Sequence, residues 1–447
     1  MNKLNELTNQ QGQLEQMVED LLAEAKSQGA SAAEAGVSKD IGLSVSVRMG
    51  EVETIEHTRD RGLGVTVYFG HRKGSASTSD FSSDAIRETV RAACNIARYT
   101  TEDPCAGLAD AALMATEKPD LDLYHPWNIE VDQAIATGLE CESSARSLDP
   151  RITNSEGATL NSHDGLQVYG NSHGFIGGYP SSRHSLSCAV VGQQGDSMQR
   201  DYWYTVARAA GELEAAADVG RKAGERTLTR LGARRISTRQ APVVFQAEMA
   251  VSLLRSLIGA ISGSALYRHS SFLLDHLGRQ IFPEFVRVHE NPLLSGGLSS
   301  APFDSEGVTT RAKNFIDRGI LESYVLGSYS ARKLGMQSTG NAGGVRNLAI
   351  QPGELDLDGL LGEMGKGLLV TEMMGHGINM VTGDYSRGAA GFWVENGEIQ
   401  FPVEEITIAG NLKQMFAGLA AVGKDEERRG SIRTGSWLLE PMTIAGE

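Results

Sequence analysis

Residues 374–412 read Met374-Gly375-His376-Gly377-Ile378-Asn379-Met380-Val381-Thr382-Gly383-Asp384-Tyr385-Ser386-Arg387-Gly388-Ala389-Ala390-Gly391-Phe392-Trp393-Val394-Glu395-Asn396-Gly397-Glu398-Ile399-Gln400-Phe401-Pro402-Val403-Glu404-Glu405-Ile406-Thr407-Ile408-Ala409-Gly410-Asn411-Leu412. This is a run of short strands punctuated by turns. Asn396-Gly397 lies between two strand-like runs, and both residues of such a pair tolerate positive φ, so a tight hairpin is expected there. Gly375, Gly377, Gly383, Gly388 and Gly391 are too dense for a helix and suit a surface where another backbone comes close. Two readings fit. One is a groove that receives an extended peptide or a partner's sheet edge, with Gly375, His376, Gly377, Gly383 and Asp384 as its candidate residues. The other is a glycine-rich barrel corner.

Working outward, a helix is expected near 355–366, and Gly296-Gly297, Gly340 and Gly343-Gly344 mark turns between strand-like segments. A helix over 247–261 opens this last region, entered from Pro242-Val243-Val244-Phe245 after a linker that begins at Gly232. Upstream, an Ala-rich helical segment is expected over 205–231 and a strand meander over 151–191. A helix over 131–147 precedes the meander, and a proline-bearing boundary lies between Pro104 and Pro126. At the start, Leu14, Met17, Val18, Leu21, Leu22 and Ala25 keep a 3.6-residue stripe within 4–27. Leu43, Val45 and Val47 alternate with serines before a turn at Met49-Gly50-Glu51. A second amphipathic helix over 84–99 places Ile86, Val90, Cys94 and Ile96 on its apolar face.

The fold class is therefore α+β. An N-terminal unit of helices and antiparallel sheet is expected over 1–120 and a middle helix and strand unit over 121–235. A strand-rich, glycine-rich, barrel-like C-terminal domain is expected over 236–447.

With 447 residues, more than one core is expected. A net charge of −15 argues against general nucleic-acid binding, which needs a basic face. Cys94, Cys105, Cys141 and Cys188 are irregularly spaced and form no C-x-x-C pair, which fits reduced cysteines better than a zinc ribbon. Residues 1–20 are polar and acidic, without the apolar core of a signal peptide, and no apolar run reaches the length of a membrane span. The expectation is a soluble, cytoplasmic protein with no membrane association.

Few side-chain constellations stand out. Asn161-Ser162-His163 and Asn171-Ser172-His173 echo each other ten residues apart, and His184 lies a strand length beyond. The three histidines are a candidate metal set if strand register aligns them, and repeated strand-end chemistry otherwise. His289-Glu290 begins like a zincin helix, but no second histidine follows at helical spacing and Pro292 blocks the helix. His376 with Asp384 downstream is a candidate general base or a turn histidine. Gly340-Asn341-Ala342-Gly343-Gly344 lacks the Lys-Ser/Thr of a phosphate cradle and reads as a loop. Asp304-Ser305-Glu306-Gly307 and Asn154-Ser155-Glu156-Gly157 read as hairpin or capping turns.

Longer motifs carry more. Thr382-Gly383-Asp384-Tyr385-Ser386-Arg387-Gly388 and Val394-Glu395-Asn396-Gly397 stand with Gly74-Ser75-Ala76-Ser77-Thr78, Asp103-Pro104-Cys105 and Arg151-Ile152-Thr153-Asn154. Pro302-Phe303-Asp304-Ser305-Glu306-Gly307 and Ser328-Tyr329-Ser330-Ala331-Arg332-Lys333-Leu334-Gly335 complete the set. Together they resemble the TldD/PmbA family of metallopeptidases, closest to the PmbA (TldE) branch, over nearly the whole chain.

The resemblance implies a heterodimeric peptidase of two similar subunits that cleaves unfolded peptides or peptide leaders. The TldD-like subunit carries H-E-x-x-x-H on a helix of the C-terminal domain and a cysteine near the C-terminus, which hold zinc, with the glutamate as general base. By offset from Pro242 those positions fall here on Arg255, Ser256 and Ala260, and the cysteine falls near Thr434. Arginine stays protonated and cannot ligate zinc, and alanine offers no donor. The resemblance thus implies a non-catalytic subunit that binds no metal alone, pairs with a TldD-like chain carrying the zinc, and forms a homodimer in isolation. Two further readings stand beside it. One is a self-standing hydrolase with a relocated site at His376, Asp384 or the three histidines. The other is a regulatory protein-binding module, since family members have been called modulators of DNA gyrase.

Overall fold

The computed structural model describes residues 3–446. Its first half runs α1 (Lys3–Ser27), β1 (Ala32–Arg48), β2 (Glu51–Phe69), β3 (Arg72–Thr78), α2 (Ser83–Tyr99), α3 (Val131–Arg146), β4 (Ile152–Asn171), β5 (Ile176–Gln194), β6 (Ser197–Ala207) and α4 (Ala216–Thr229). The six strands form one antiparallel sheet in the order β3-β2-β1-β4-β5-β6. β1 pairs with β4 in unbroken register from Glu34 opposite Asn171 to Val47 opposite Ala158. Every odd residue of β1 therefore points to one face. Ala33, Ala35 and Val37 pack there under α1 and α2, and Leu43, Val45 and Val47 pack on the same face under α3 and α4. Ile41, between the two helix pairs, is 56% exposed.

The apolar stripe of α1 is used as its spacing predicts: Leu14, Val18, Leu21 and Ala25 are fully buried. In α2 the buried face is Ile86, Val90, Ala93, Cys94 and Ala97, and Ile96 lies on the solvent side. The helix expected over 205–231 is shorter. The aromatic and β-branched run Tyr202-Trp203-Tyr204-Thr205-Val206 completes β6 against β5, where strand packing overrides the alanine-rich composition that follows. Asn154-Ser155-Glu156-Gly157 is a bulge inside β4, not a hairpin.

The second half begins with β7 (Arg239–Phe245), α5 (Ala247–Ala260) and α6 (Gly263–Tyr267). It continues with β8 (Val288–Glu290), β9 (Lys313–Asp317), β10 (Ile320–Leu321), α7 (Ser328–Lys333), β11 (Leu348–Ile350), α8 (Leu357–Met364) and β12 (Gly367–Met374). β13 (Asp384–Glu395), β14 (Glu398–Asn411), α9 (Leu412–Ala417), β15 (Leu419–Val422), β16 (Ile432–Arg433) and β17 (Trp437–Ala445) complete it. The larger sheet runs β14-β13-β12-β7-β17-β15, and β14 also pairs with β17, so five of its strands close into a barrel. A smaller sheet, β10-β9-β8-β11-β16, lies beside it. Asn396 and Gly397 turn the β13–β14 hairpin with φ of 54° and 78°, as their chemistry demands. Pro242 sits within central strand β7, facing a register shift of β17 between Leu439 and Met442, where no ladder N–H is required of it.

Several contacts join the halves. Ala115, Phe175 and Phe303 form a small apolar cluster. Arg208 donates to the carbonyls of Ser182, at 2.9 Å, and Leu298, at 2.8 Å. Arg332 of α7 donates to the carbonyls of Cys105, Gly107 and Leu108. Beside Phe303, the buried Asp304 accepts from the backbone N–H groups of Glu306, Val308 and Ala342. Burial nevertheless dominates and pushes its pKa up to about 6.

An acid whose folded pKa is raised gives stability that is full below its unfolded value and is lost as pH rises through the folded one. Asp304→Asn removes this titration. Its stability relative to the parent is expected to improve by about 1–3 kcal/mol between pH 4 and pH 7, as read from urea unfolding at each pH. A pH-independent difference would show that Asp304 titrates normally.

Candidate functional site

α5 buries Ala250, Leu253, Leu254, Leu257 and Ala260 in the barrel-side core. Its remaining face carries Ser252, Arg255, Ser256 and Gly259, and opens on a cleft of about 540 Å³. Across the cleft stand Ile378, Met380 and Val381 from the β12–β13 loop, and Arg387 from β13; Arg268, just past α6, lies at its side. Gly259 faces the loop, and a Cβ there would make ordinary contact with Met380 Cε at 3.4 Å.

Charge fixes the helix in place. Glu248, in its first turn, takes two hydrogen bonds from Arg226 of α4, at 3.0 and 3.2 Å, and one from Arg429, at 2.8 Å. Arg429 also binds Glu427 and lies over the rings of Trp203 and Tyr204, with its carbon 3.8 and 4.5 Å from their centroids. Burial alone would lower the Arg429 pKa, but Glu427 and Glu248 outweigh it and raise the value.

The loop before β13 folds back on the strand. Ser386 N–H donates to the Gly377 carbonyl at 2.7 Å, and Asn379 N–H donates to the Asp384 carbonyl at 2.8 Å. A Cβ on Gly377 would sit 1.6 Å from the Ser386 oxygen, and one on Gly391 would sit 1.8 Å from the Leu369 oxygen. The backbones that these glycines admit are thus the chain's own. β12 and β13 are hydrogen-bonded on both sides.

The candidate residues separate. Arg255 and Ser256 line the cleft, while Ala260 faces the core and Thr434 is fully buried. Gly375, His376 and Gly377 lie on the exposed loop, and it is Ile378, Met380 and Val381 that face the cleft. The Asp384 carboxylate is held by Thr382 at 2.6 Å and Asn411 at 3.1 Å. These bonds keep it below the usual carboxylate range, and they take the place of a dyad with His376. His163, His173 and His184 do not converge. His163 lies over Gly42, and His173 Nε2 meets the Ala109 carbonyl at 3.1 Å. The buried His184 uses both ring nitrogens, toward Ser162 at 3.0 Å and the His125 carbonyl at 2.9 Å. His289-Glu290 forms strand β8, where Glu290 pairs with Lys313. Sequence reasoning missed Arg268 and the cleft-facing role of Arg387, because only the fold brings their elements to α5.

Three stretches of the chain match successive parts of one family. Residues 33–97 match PmbA/TldA metallopeptidase domain 1, residues 124–231 its central domain, and residues 238–446 its C-terminal domain. The Metalloprotease PmbA of Escherichia coli O157:H7 is 54% identical over 95% of this chain and 94% of that one. The chain belongs to the PmbA branch of the PmbA/TldD family. The Metalloprotease PmbA homolog of Haemophilus influenzae is 50% identical over 98% of both chains. Among solved structures, a Bacteroides thetaiotaomicron protein whose name connects it with DNA gyrase modulation superposes with a TM-score of 0.92 at 28% identity, covering 97% of this chain and 98% of that one. TldE of Thermococcus kodakarensis shares the fold, with a TM-score of 0.84 at 20% identity over 96% of this chain and 100% of its own.

The family name metallopeptidase implies a metal, and the side chains at the cleft do not fit one. Arg255 stays protonated. Ser256 Oγ donates to the Ser252 carbonyl at 2.9 Å. Thr434 Oγ1 accepts from Trp437 Nε1 at 2.7 Å and donates to the Gly435 carbonyl at 2.8 Å. Among the described residues no group of three or more His, Cys, Asp or Glu side chains is placed to hold an ion. No helix among them is long and apolar enough to cross a membrane.

Gly377→Ala tests the backbone packing at the cleft wall. It should destabilise the protein by about 2 kcal/mol or more, because the clash is with backbone that cannot step aside. The Ser386 amide should lose protection in hydrogen exchange before distant β4 amides do. Unchanged protection at Ser386 would refute the close fit.

Proposed function

We propose that this chain is the non-catalytic PmbA/TldE subunit of a cytoplasmic, heterodimeric zinc metallopeptidase. It pairs with a TldD-like chain and acts on unfolded peptides or peptide leaders. The observation that carries this reading is the α5 region: on a scaffold matched to the family over most of its length, Arg255 and Ser256 line the cleft while Ala260 and Thr434 are buried beside it, and none of the four offers the imidazole or thiolate expected at those positions. A zinc ion held by the partner would supply an activated water. This chain's residues do the rest: the α5 face and the 375–383 loop bind and orient the peptide, and the walls around them exclude folded chains. In isolation the chain pairs with itself through the surface that serves the partner, because two subunits of one fold offer similar faces.

The hydrolase reading with a relocated site gains nothing from His376 and Asp384, since Asp384 is engaged with Thr382 and Asn411. The test uses this chain purified alone and then together with a TldD-like chain from the same organism. Zinc content and cleavage of an unfolded peptide are measured in both. The expected result is neither zinc nor cleavage for the lone chain and both for the pair. Arg255→Ala and Thr434→Ala should leave zinc loading of the pair unchanged. Stoichiometric zinc with cleavage by the lone chain would overturn the proposal.

A further inference from the structure

The α5 cleft is cationic in an acidic protein. The chain carries 56 Asp and Glu against 41 Lys and Arg, yet the residues lining this cleft include three arginines, four serines and no carboxylate. Arg255 and Arg268 are exposed at its mouth, and Arg387 is half-buried in its wall. None of the three is in an ion pair with a carboxylate among the described residues, although most other arginines near α5 are paired. The Nε of Arg387 is buried without a hydrogen-bond acceptor. Its guanidinium neighbours the Tyr385 phenol. The Arg268 guanidinium lies 5.5 Å from the Tyr267 ring centroid. Across from α5, Ile378, Met380 and Val381 supply an apolar stretch beside Arg387.

Guanidinium groups from α5, from the segment past α6 and from β13, together with an apolar stretch of the β12–β13 loop, set the ligand class. Arginine donors are shaped for a carboxylate, and the attraction weakens little where water is partly displaced. The apolar stretch favours side chains rather than a bare ion. We propose that this cleft binds a peptide carboxylate, with Arg255, Arg268 and Arg387 holding the acidic group and Ile378, Met380 and Val381 receiving flanking apolar side chains. Ser252, Ser256 and Ser270 donate their hydroxyl protons to the carbonyls of Met249, Ser252 and Ala265, which leaves their oxygens as neutral acceptors for peptide N–H groups. No bond is made or broken at this site. Its contribution is selective retention of acidic, unfolded segments.

The proposal rests on the peptidase reading only for where the peptide comes from. Binding is therefore measured on the full chain alone, without partner or zinc, so its failure leaves the subunit pairing standing and a failed pairing leaves the binding measurable. The probes are fluorescein-labelled, C-terminally amidated peptides of leucine, alanine and glutamate, with glutamine and lysine counterparts. The glutamine peptide with a free C-terminus separates a terminal carboxylate from a side-chain one. By fluorescence anisotropy at low ionic strength, the glutamate peptide or the free-acid peptide should bind about tenfold or more tightly than the amidated glutamine peptide. The preference should shrink as ionic strength rises from about 0.05 to about 0.5 M.

Arg255→Glu with Arg268→Glu should abolish that preference, and Arg255→Lys with Arg268→Lys should keep part of it. Both residues are exposed, so the melting temperature should not move. Equal binding of the carboxylate and amidated glutamine peptides would overturn the proposal. So would an acidic preference that survives both charge reversals.

Discussion

Glu248 is the joint on which this molecule turns. It sits in the first turn of α5, where a negative charge is favoured by the helix dipole, and it is shared by Arg226 from the first half and Arg429 from the second. The groups are largely removed from water, so each needs its partners: taking one away leaves an uncompensated charge, at about 3–5 kcal/mol. Arg429 then carries the connection onward to Trp203 and Tyr204 of β6. The placement of α5, and with it the cleft, rests on this cluster at its first turn and on its buried face in the core. Its charges also explain a selectivity within the structure. The arginines that hold the helix are neutralised, and those that face the cleft are not.

A site built for a divalent ion turns lone pairs inward. This cleft is lined by the N–H groups of three guanidinium side chains. The two kinds of site are electrostatic opposites and can occupy the same place in a scaffold without disturbing it, because α5 is held by its buried face and its first turn. Side chains on the open face are free to change sign. The sign of the charge on that face can therefore change without a change of fold.

Local chemistry made much of the fold legible. The Asn396-Gly397 turn, the Leu14 to Ala25 stripe and the glycine turns at Gly340 and Gly343 each need only their immediate neighbours to be read. The Ala-rich segment after Thr205 was misread because alanine propensity is weak beside the cross-strand packing of Tyr202 and Trp203. Ile96 was placed inside because periodicity does not say where an apolar stripe ends. The site was legible in part. Arg255 and Ser256 could be found through the offset from Pro242, whereas Arg268 and Arg387 join them only through the folding of distant elements. The histidines at 163, 173 and 184 show the opposite failure: an echo in sequence became three unrelated hydrogen-bonding roles once strand register was fixed.

Barrel closure has a consequence for synthesis. β7 lies between β12 and β17, and its residue Phe245 pairs with Trp437, close to the end of the chain. The β7 edge therefore leaves the ribosome long before the strand that covers it, a delay of roughly 10–40 s at ordinary elongation rates. The six-stranded sheet of the first half can assemble in that interval, since all its strands precede β7. For the second half, the last strand to be made is also the one that seals the ring. A nascent chain is thus exposed along β7 until translation is nearly complete, and Pro242, which has no N–H to offer, makes that edge a poorer template for a wrong partner while it waits.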